Sequence, residues 1–315
     1  LAIATVAMSK MTAIGVVVPT LNAGELGRAC FAAVAEQSCS VRRRLVIDSA
    51  STDTTVAQAR DAGFEVMSIA RADFNHGGTR QFAAEILADC DIIVFLTQDA
   101  VLVNRDALAE LVGCFDAPRV ALAYGRQLPH KEATPIEAHA RIFSYGSETQ
   151  INDLAAIPRR GAKAFFCSNS FAAYRRSILF ELGGFRRDLI LGEDAEFAAR
   201  AIKAGYVSVY CATAQVRHSH NYTISEIFWR YFDTGVFHAR NPWMREEFGS
   251  YGGEGIRFVL SELQFLAKRA PLQIPRALAQ TLAKITGYQL GRREKIIPKR
   301  FKPWLSMTPG YWRAR

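Results

Sequence analysis

The feature that most restricts what this chain can fold into is an alternation, between residues 14 and 124, of short β-rich runs with amphipathic stretches of helical period. IGVVV, LVI, FEVMSI, DIIVFL and VALAY read as strands, and 25–37, 53–62, 78–89 and 105–115 read as helices. Apolar periods of two and of 3.6 taking turns in this way predict an α/β domain with a mixed, mostly parallel sheet flanked by helices. Ligands of such a sheet gather at the carboxyl ends of its strands. Beyond Tyr124 the regularity fades, then returns in FFCSNSFAAY, in a helical stretch at 194–204, and in YVSVY followed by QVRH. From Ile224 the pattern is helical and aromatic, broken by Pro271 and Pro275. The expected division is an N-terminal tail at 1–13, an α/β domain at 14–223, and a helical, basic C-terminal extension at 224–315.

Half of the 315 residues are hydrophobic, enough to bury a full core. The six cysteines, at 30, 39, 90, 114, 167 and 211, form no CxxC pair and no regular framework, which points to reduced thiols in a cytoplasmic protein. The first eleven residues lack the basic and long apolar parts of a secretory signal, and Met11 is the expected start. No apolar run reaches the roughly 18–20 residues of a membrane span, so the chain is expected to be soluble or peripheral to a membrane. Of the formal charge of +9, +7 lies in residues 291–315, where eight basic residues face Glu294 alone. With the rest nearly neutral, no basic groove interleaved with aromatics is on offer, and nucleic acid is not the expected partner.

The motifs sit where the strands end. The first strand runs into VVVPTLNAG, where Pro19 is expected to stop the ladder and Asn22 and Gly24 to form a loop. The second ends in VIDSASTDTT, with Asp48 at its carboxyl edge and Ser51 or Thr52 available to cap the next helix. Neither is followed by GxGxxG, and GxxxxGK[ST] is absent, which removes the dinucleotide and P-loop readings. DFNHGGTRQ at 73–81 offers paired glycines before a helix, a place where backbone N–H groups and Arg80 could meet a phosphate. Asp99 follows the most apolar strand, and a carboxylate there can hold Mg2+ or Mn2+ against a diphosphate. In GEDAEF, Glu193 and Asp194 open a helix, where they serve either the helix dipole or proton abstraction from a hydroxyl. His218 and His220 alternate at what reads as a strand end and offer imidazoles to a metal or a phosphate.

Taken in order, these segments resemble glycosyltransferase family 2, the inverting GT-A enzymes, over residues 14–240, and within it the bacterial rhamnosyltransferases of surface polysaccharide synthesis. FNHGGTRQ, FLTQDA, FFCSNSFAAYRRS, GEDAEFAARAIKAGY, HSHNYT and YFDTGVFHAR carry the narrower likeness. The resemblance implies a GT-A fold and a nucleoside-diphosphate sugar donor, dTDP-rhamnose in the narrower branch and GDP-mannose or a UDP-hexose otherwise. It further implies a saccharide or polyprenyl-linked acceptor and a divalent cation; a degenerate sugar-nucleotide-binding module is the other reading. By matched position, Asp194 is the catalytic base with Glu193 beside it, Asp48 meets the nucleobase, and Arg71 and Arg80 border the donor. Pro19, Thr20, Asn22, His76, Gly77, Gly78 and Gln98 belong to the same donor site. Asp99 is the surviving acid of the DXD motif, with His218 and His220 as candidate metal ligands, and Cys167 and Asn169 line the reaction centre. Two positions depart from the pattern: Thr97 replaces the first acid, and Gln81 stands where relatives carry Asn.

At the C-terminus, Ile256, Val259, Leu260, Leu263 and Leu266 recur at helical spacing, and the basic segment adds Phe301, Trp304, Tyr311 and Trp312. That stripe packs on its own domain or lies on an anionic membrane at the cytoplasmic face.

Overall fold

The computed structural model describes residues 12–249 and 253–313, so most of the expected N-terminal tail lies outside the described residues. The chain runs β1 (Ile14–Thr20), α1 (Gly24–Ala35), β2 (Arg43–Asp48), α2 (Thr55–Asp61), β3 (Glu65–Ser68), α3 (His76–Ile86), β4 (Ile92–Leu96) and β5 (Val101–Leu102). It continues with α4 (Ala107–Gly113), β6 (Val120–Leu128), α5 (Pro135–Ser144), β7 (Gln150–Asn152), α6 (Ile157–Arg160), β8 (Phe171–Arg175), α7 (Arg176–Glu181), α8 (Glu193–Lys203) and β9 (Val207–Arg217). Helices α9 (Ile224–Arg240), α10 (Pro242–Phe248), α11 (Glu254–Arg269), α12 (Ile274–Arg292) and α13 (Pro309–Arg313) complete it.

One sheet is built in the order β3-β2-β1-β4-β8-β6-β9-β5, with β7 added on β9. Strands β3, β2, β1 and β4 are parallel, β8 is antiparallel to both β4 and β6, and β6 and β9 are parallel. Each strand shows why it is central. Val17, Ile93 and Phe95 point into one apolar layer, while Val16, Val18, Ile92 and Val94 point into another. A sheet covered on both faces needs such continuous apolar runs, and each fully buried Val, Ile or Phe contributes about 1.5–3 kcal/mol.

The local readings need four corrections. Pro19 does not end β1, because it pairs with Ile47 and Thr20 pairs with Asp48. The ladder to β4 ends earlier, at Val17 and Phe95, so the N–H that proline lacks falls on the side where no partner strand asks for it. Ser51 and Thr52 do not cap α2; Asp53 Oδ1 accepts from Thr55 N at 3.0 Å instead. The paired glycines lie inside the first turn of α3 rather than before it, with Asn75 as its cap, accepting from Gly78 N at 2.7 Å. A Cβ at Gly77 would stand 2.0 Å from Arg186 O, so this glycine serves the packing of the chain on itself. Finally, the stretch read as irregular after Tyr124 holds the rest of β6, then α5 and β7.

Phe232, Val236 and Phe237 of α9, with Met244 and Phe248 of α10, share one buried cluster with Phe95, Tyr174 and Phe197 of the α/β part. The core therefore runs without a break across residue 224. Helix α12 lies on α9 through glycines: a Cβ at Gly287 would be 2.4 Å from Phe228 O, and one at Gly291 would be 2.0 Å from Phe232 O. Among the described residues no helix is long and apolar enough to cross a membrane, and the six cysteines are free thiols.

Candidate active site

Three parallel strands, β2, β1 and β4, deliver their carboxyl ends to one edge of the sheet. There Asp48, 2% exposed, accepts from Thr20 Oγ1 at 2.9 Å, Ser51 N at 2.9 Å and Ser51 Oγ at 2.5 Å. Asn22, in the left-handed region at φ 48°, donates its N–H to Ser51 Oγ and accepts from Thr52 N, each at 2.8 Å. Gln98 grips the same loop from β4, accepting from Leu21 N at 2.7 Å and donating to Leu21 O at 3.1 Å. Asp48, Asn22 and Gln98 thus shape the loop edge by fastening it together. Arg71 stands exposed beyond the end of β3, in a short 3-10 turn.

Asp99 follows β4, and the loop after β9 brings two imidazoles to it. His218 Nε2 and His220 Nδ1 each lie 3.4 Å from Asp99 Oδ2, and the three candidate ligand atoms fall within 4.8 Å of one another. Burial lowers both imidazoles' affinity for protons, well below the ordinary range for His218. At neutral pH both are bare ligands in the form a metal needs. Gln127 of β6 orients the first: its Oε1 lies 2.8 Å from His218 Nδ1 and accepts from Arg141 Nη1 at 3.2 Å. Arginine has no acceptor, so the amide atom facing it is the oxygen, and that oxygen in turn requires the proton of His218 on Nδ1. His130 Nε2 also approaches Asp99, at 3.0 Å from its main-chain oxygen.

The second cluster opens α8, whose preceding Gly192 takes the left-handed φ of 78°. Glu193 is buried and accepts from Arg80 Nη1 at 2.8 Å and Asn169 Nδ2 at 3.0 Å. Burial pushes its acid up, but Arg80, His76 and Asn169 outweigh that and hold it below the usual range. Asp194 is half-buried and accepts from Asn169 N at 2.9 Å and Ala195 N at 2.8 Å. Burial first and the Glu193 charge second push its acid up to about 6. Two adjacent carboxyls driven apart in this way divide the labour, one ionised and fixed by a cation, the other poised to take a proton near neutral pH. His76 lies half-buried next to Arg80, its Nδ1 3.5 Å from Arg80 Nη1.

The three residues before β8 join the two clusters. Asn169 holds Glu193 and Asp194, Ser168 Oγ accepts from Gln127 Nε2 at 2.9 Å, and Ser170 Oγ lies 3.5 Å from His218 Nε2. Because β8 runs antiparallel to β4, its beginning lies at the carboxyl end of β4, beside Asp99. Cys167 is buried in the core, 3.6 Å from Tyr174 Oη, and burial first and the Asp194 charge second raise its thiol well above the ordinary range. Tyr174 Oη donates to Asn169 Oδ1 at 2.8 Å, so one hydroxyl touches both the thiol and the amide that holds Glu193.

Sequence reasoning missed Gln127, Arg141, Ser168, Ser170, Tyr222 and Arg230. Tyr222 packs on His220 with ring centroids 4.9 Å apart, and the Arg230 guanidinium lies 5.8 Å from the Tyr222 ring. The charges of Arg141 and Arg230 act on both histidines and help to keep them neutral. Thr134-Pro-Ile-Glu137, a cap, a proline and an acid in the first turn, was the available signal for the helix that carries Arg141.

The family model for glycosyl transferase family 2 matches residues 15–183. The chain is 50% identical over 300 residues to the O-antigen chain rhamnosyltransferase RfbN of Salmonella typhimurium, covering 95% of this chain and 96% of that one. It is 49% identical over 303 residues to the O-antigen chain rhamnosyltransferase WbaN of Salmonella anatum, covering 96% of each. Among solved structures, the mannosyltransferase PcManGT from Pyrobaculum calidifontis, in complex with GDP-Man and Mn2+, is similar in fold, with a TM-score of 0.54 at 20% identity. That likeness covers 97% of this chain and 86% of the other. S. aureus TarS is similar with a TM-score of 0.50 at 15% identity, covering 90% and 91%.

Proposed function

The chain belongs to glycosyl transferase family 2, and from that premise we propose that it moves L-rhamnose from dTDP-rhamnose onto a saccharide or polyprenyl-linked saccharide hydroxyl, in the assembly of an O-antigen-like polysaccharide in the cytoplasm. The identity of 50% to a rhamnosyltransferase supports the donor. The observation that carries the chemistry is the Ser168–Ser170 segment, which ties the Asp99, His218 and His220 cluster to Asp194.

The reaction is a single displacement. Asp194 takes the proton of the acceptor hydroxyl as its oxygen bonds to the anomeric carbon, and the bond from that carbon to the diphosphate breaks with inversion. Glu193 is too buried and too firmly held by Arg80 to share the task, and its charge keeps Asp194 basic enough to do it. On the donor side, Thr20, Asn22, Asp48 and Gln98 shape the loop edge that receives the nucleoside. Arg71, Arg141 and Arg230 bring positive charge toward the diphosphate. One carboxylate and two neutral imidazoles suit Mn2+ better than Mg2+, which prefers oxygen ligands, and a cation held there would neutralise the departing diphosphate. Pro19, His76, Gly77, Gly78 and Arg80 support this site from behind, through β1 and the first turn of α3.

A second reading, another sugar nucleotide as donor, is favoured by the fold likeness to a mannosyltransferase solved with GDP-Man. Turnover with dTDP-rhamnose, GDP-mannose, UDP-galactose and UDP-glucose against a synthetic saccharide acceptor separates the two. The proposal expects dTDP-rhamnose to lead, and equal or better turnover with UDP-glucose overturns it.

A further inference from the structure

Helix α12 has two faces of opposite character. Ala277, Gln280, Ala283, Gly287 and Gly291 are buried. On the other side, Leu278, Leu282 and Ile285 recur at intervals of four and three and stand exposed, Leu282 at 62%, with exposed Arg292 two further turns along the same face. Further exposed apolar residues flank α12 in the chain. Leu272, in the turn before α12, is 94% exposed, and beyond α12 come Ile296 at 77% and Trp304 at 79%. Arg293, Lys295, Lys299 and Arg300 are exposed among these last residues.

This is not the surface that the apolar stripe of α11 predicts. Leu266 is buried against Ile136 and Ala277, so that stripe is partly internal. Tyr311 and Trp312 are likewise packed against the core cluster.

We infer that the outer face of α12, with the basic segment that follows it, docks on an anionic lipid surface. The inference deepens the proposed acceptor reading, since a lipid-linked acceptor would be met at that surface. Apolar side chains flanked by five exposed cations and an exposed tryptophan match the two layers of such a surface, acyl chains below and negative headgroups above. A second copy of the chain is the poorer occupant, because a twofold contact through this face would set the same cations against one another. The face also begins beside the site. Arg276, in the first turn of α12, donates from Nη2 to Tyr222 O at 3.3 Å, and Tyr222 follows His220, which faces Asp99, by two residues.

Removing the tail is not a clean test, because Asp233 of α9 accepts from Met307 N at 3.0 Å and from Thr308 Oγ1 at 3.1 Å. Point substitutions on exposed positions avoid this. The full chain should sediment with phosphatidylcholine vesicles containing phosphatidylglycerol, and rising salt should weaken the binding. Leu282→Glu with Ile285→Glu, and separately Arg292→Glu with Lys295→Glu and Lys299→Glu, should each weaken it by about tenfold or more with the melting temperature unchanged. The inference is overturned if the full chain ignores these vesicles at low salt, binds pure phosphatidylcholine equally, or keeps its affinity in both variants. It is equally overturned if the chain is a dimer in solution that the Leu282→Glu, Ile285→Glu variant dissociates. Lipid binding without rhamnosyl transfer would count against the proposed donor and leave this inference standing.

Discussion

His218 turns Nε2 toward Asp99 Oδ2 at 3.4 Å while its Nδ1 lies 2.8 Å from Gln127 Oε1. With the proton on Nδ1, two acceptors face each other across that gap, an arrangement that a cation between them would relieve.

Mn2+ should therefore bind in the presence of nucleoside diphosphate, and Asp99→Ala should abolish that binding in a calorimetric titration. Gln127→Leu keeps all three ligands but frees the ring, and should cost about 10–100-fold in metal affinity. Transfer should stop in excess chelator and return with Mn2+ or Mg2+. Full activity in chelator would mean that the arginines alone neutralise the diphosphate.

Asp194→Asn should lower turnover by about 10²-fold or more while donor affinity changes only a few-fold. A base must be ionised to act, so turnover in the native chain should climb as pH rises through about 6, the value to which burial and Glu193 raise this acid, and level off above it. Glu193→Gln removes the second of those causes, and the acidic limb should move to lower pH. A limb that stays in place in Glu193→Gln would remove Asp194 as its origin.

Arg80 and Glu193 form an ion pair with side chains each 5% exposed. Arg80→Met strands the carboxylate in the interior and should cost about 3–5 kcal/mol in urea unfolding. Adding Glu193→Gln should recover part of the loss, because the buried charge then goes too. If the two losses simply add, the pair is not coupled.

Gly291→Ala places a Cβ only 2.0 Å from Phe232 O, and should destabilise by roughly 1–3 kcal/mol. Gly310→Ala, with nothing within 4 Å, is the control and should melt as the native chain does.

What could be read in advance follows from how locally each feature is determined. β1, β4 and α8 are legible because unbroken apolar runs and a helical period require no knowledge of the rest of the chain. Ser51 looked like a cap because its neighbours suit one. In the fold it serves Asp48 and Asn22, a partnership that only the pairing of β1 with β2 creates. Arg141 was out of reach for the same reason, since its value lies in Gln127 and His218, which come from β6 and the end of β9. Asp99 and the two histidines are more than a hundred residues apart, and family likeness rather than spacing suggested their meeting.

The core that continues across residue 224 bears on how enzymes of this kind can be recombined. A chimaera joined after residue 223 would ask Phe232, Val236, Phe237 and Phe248 of one parent to fill the space that Phe95, Tyr174 and Phe197 of another leave open. The mismatch would be felt at once at Gly192, where a Cβ would stand 3.0 Å from the Phe237 ring, directly before Glu193 and Asp194. A junction in the stretch between α10 and α11 exchanges the outer helices while leaving that interlock to one parent. Even there the new segment must bring glycines at 287 and 291, because the surface they meet is the main chain of α9, which no side-chain substitution can recess.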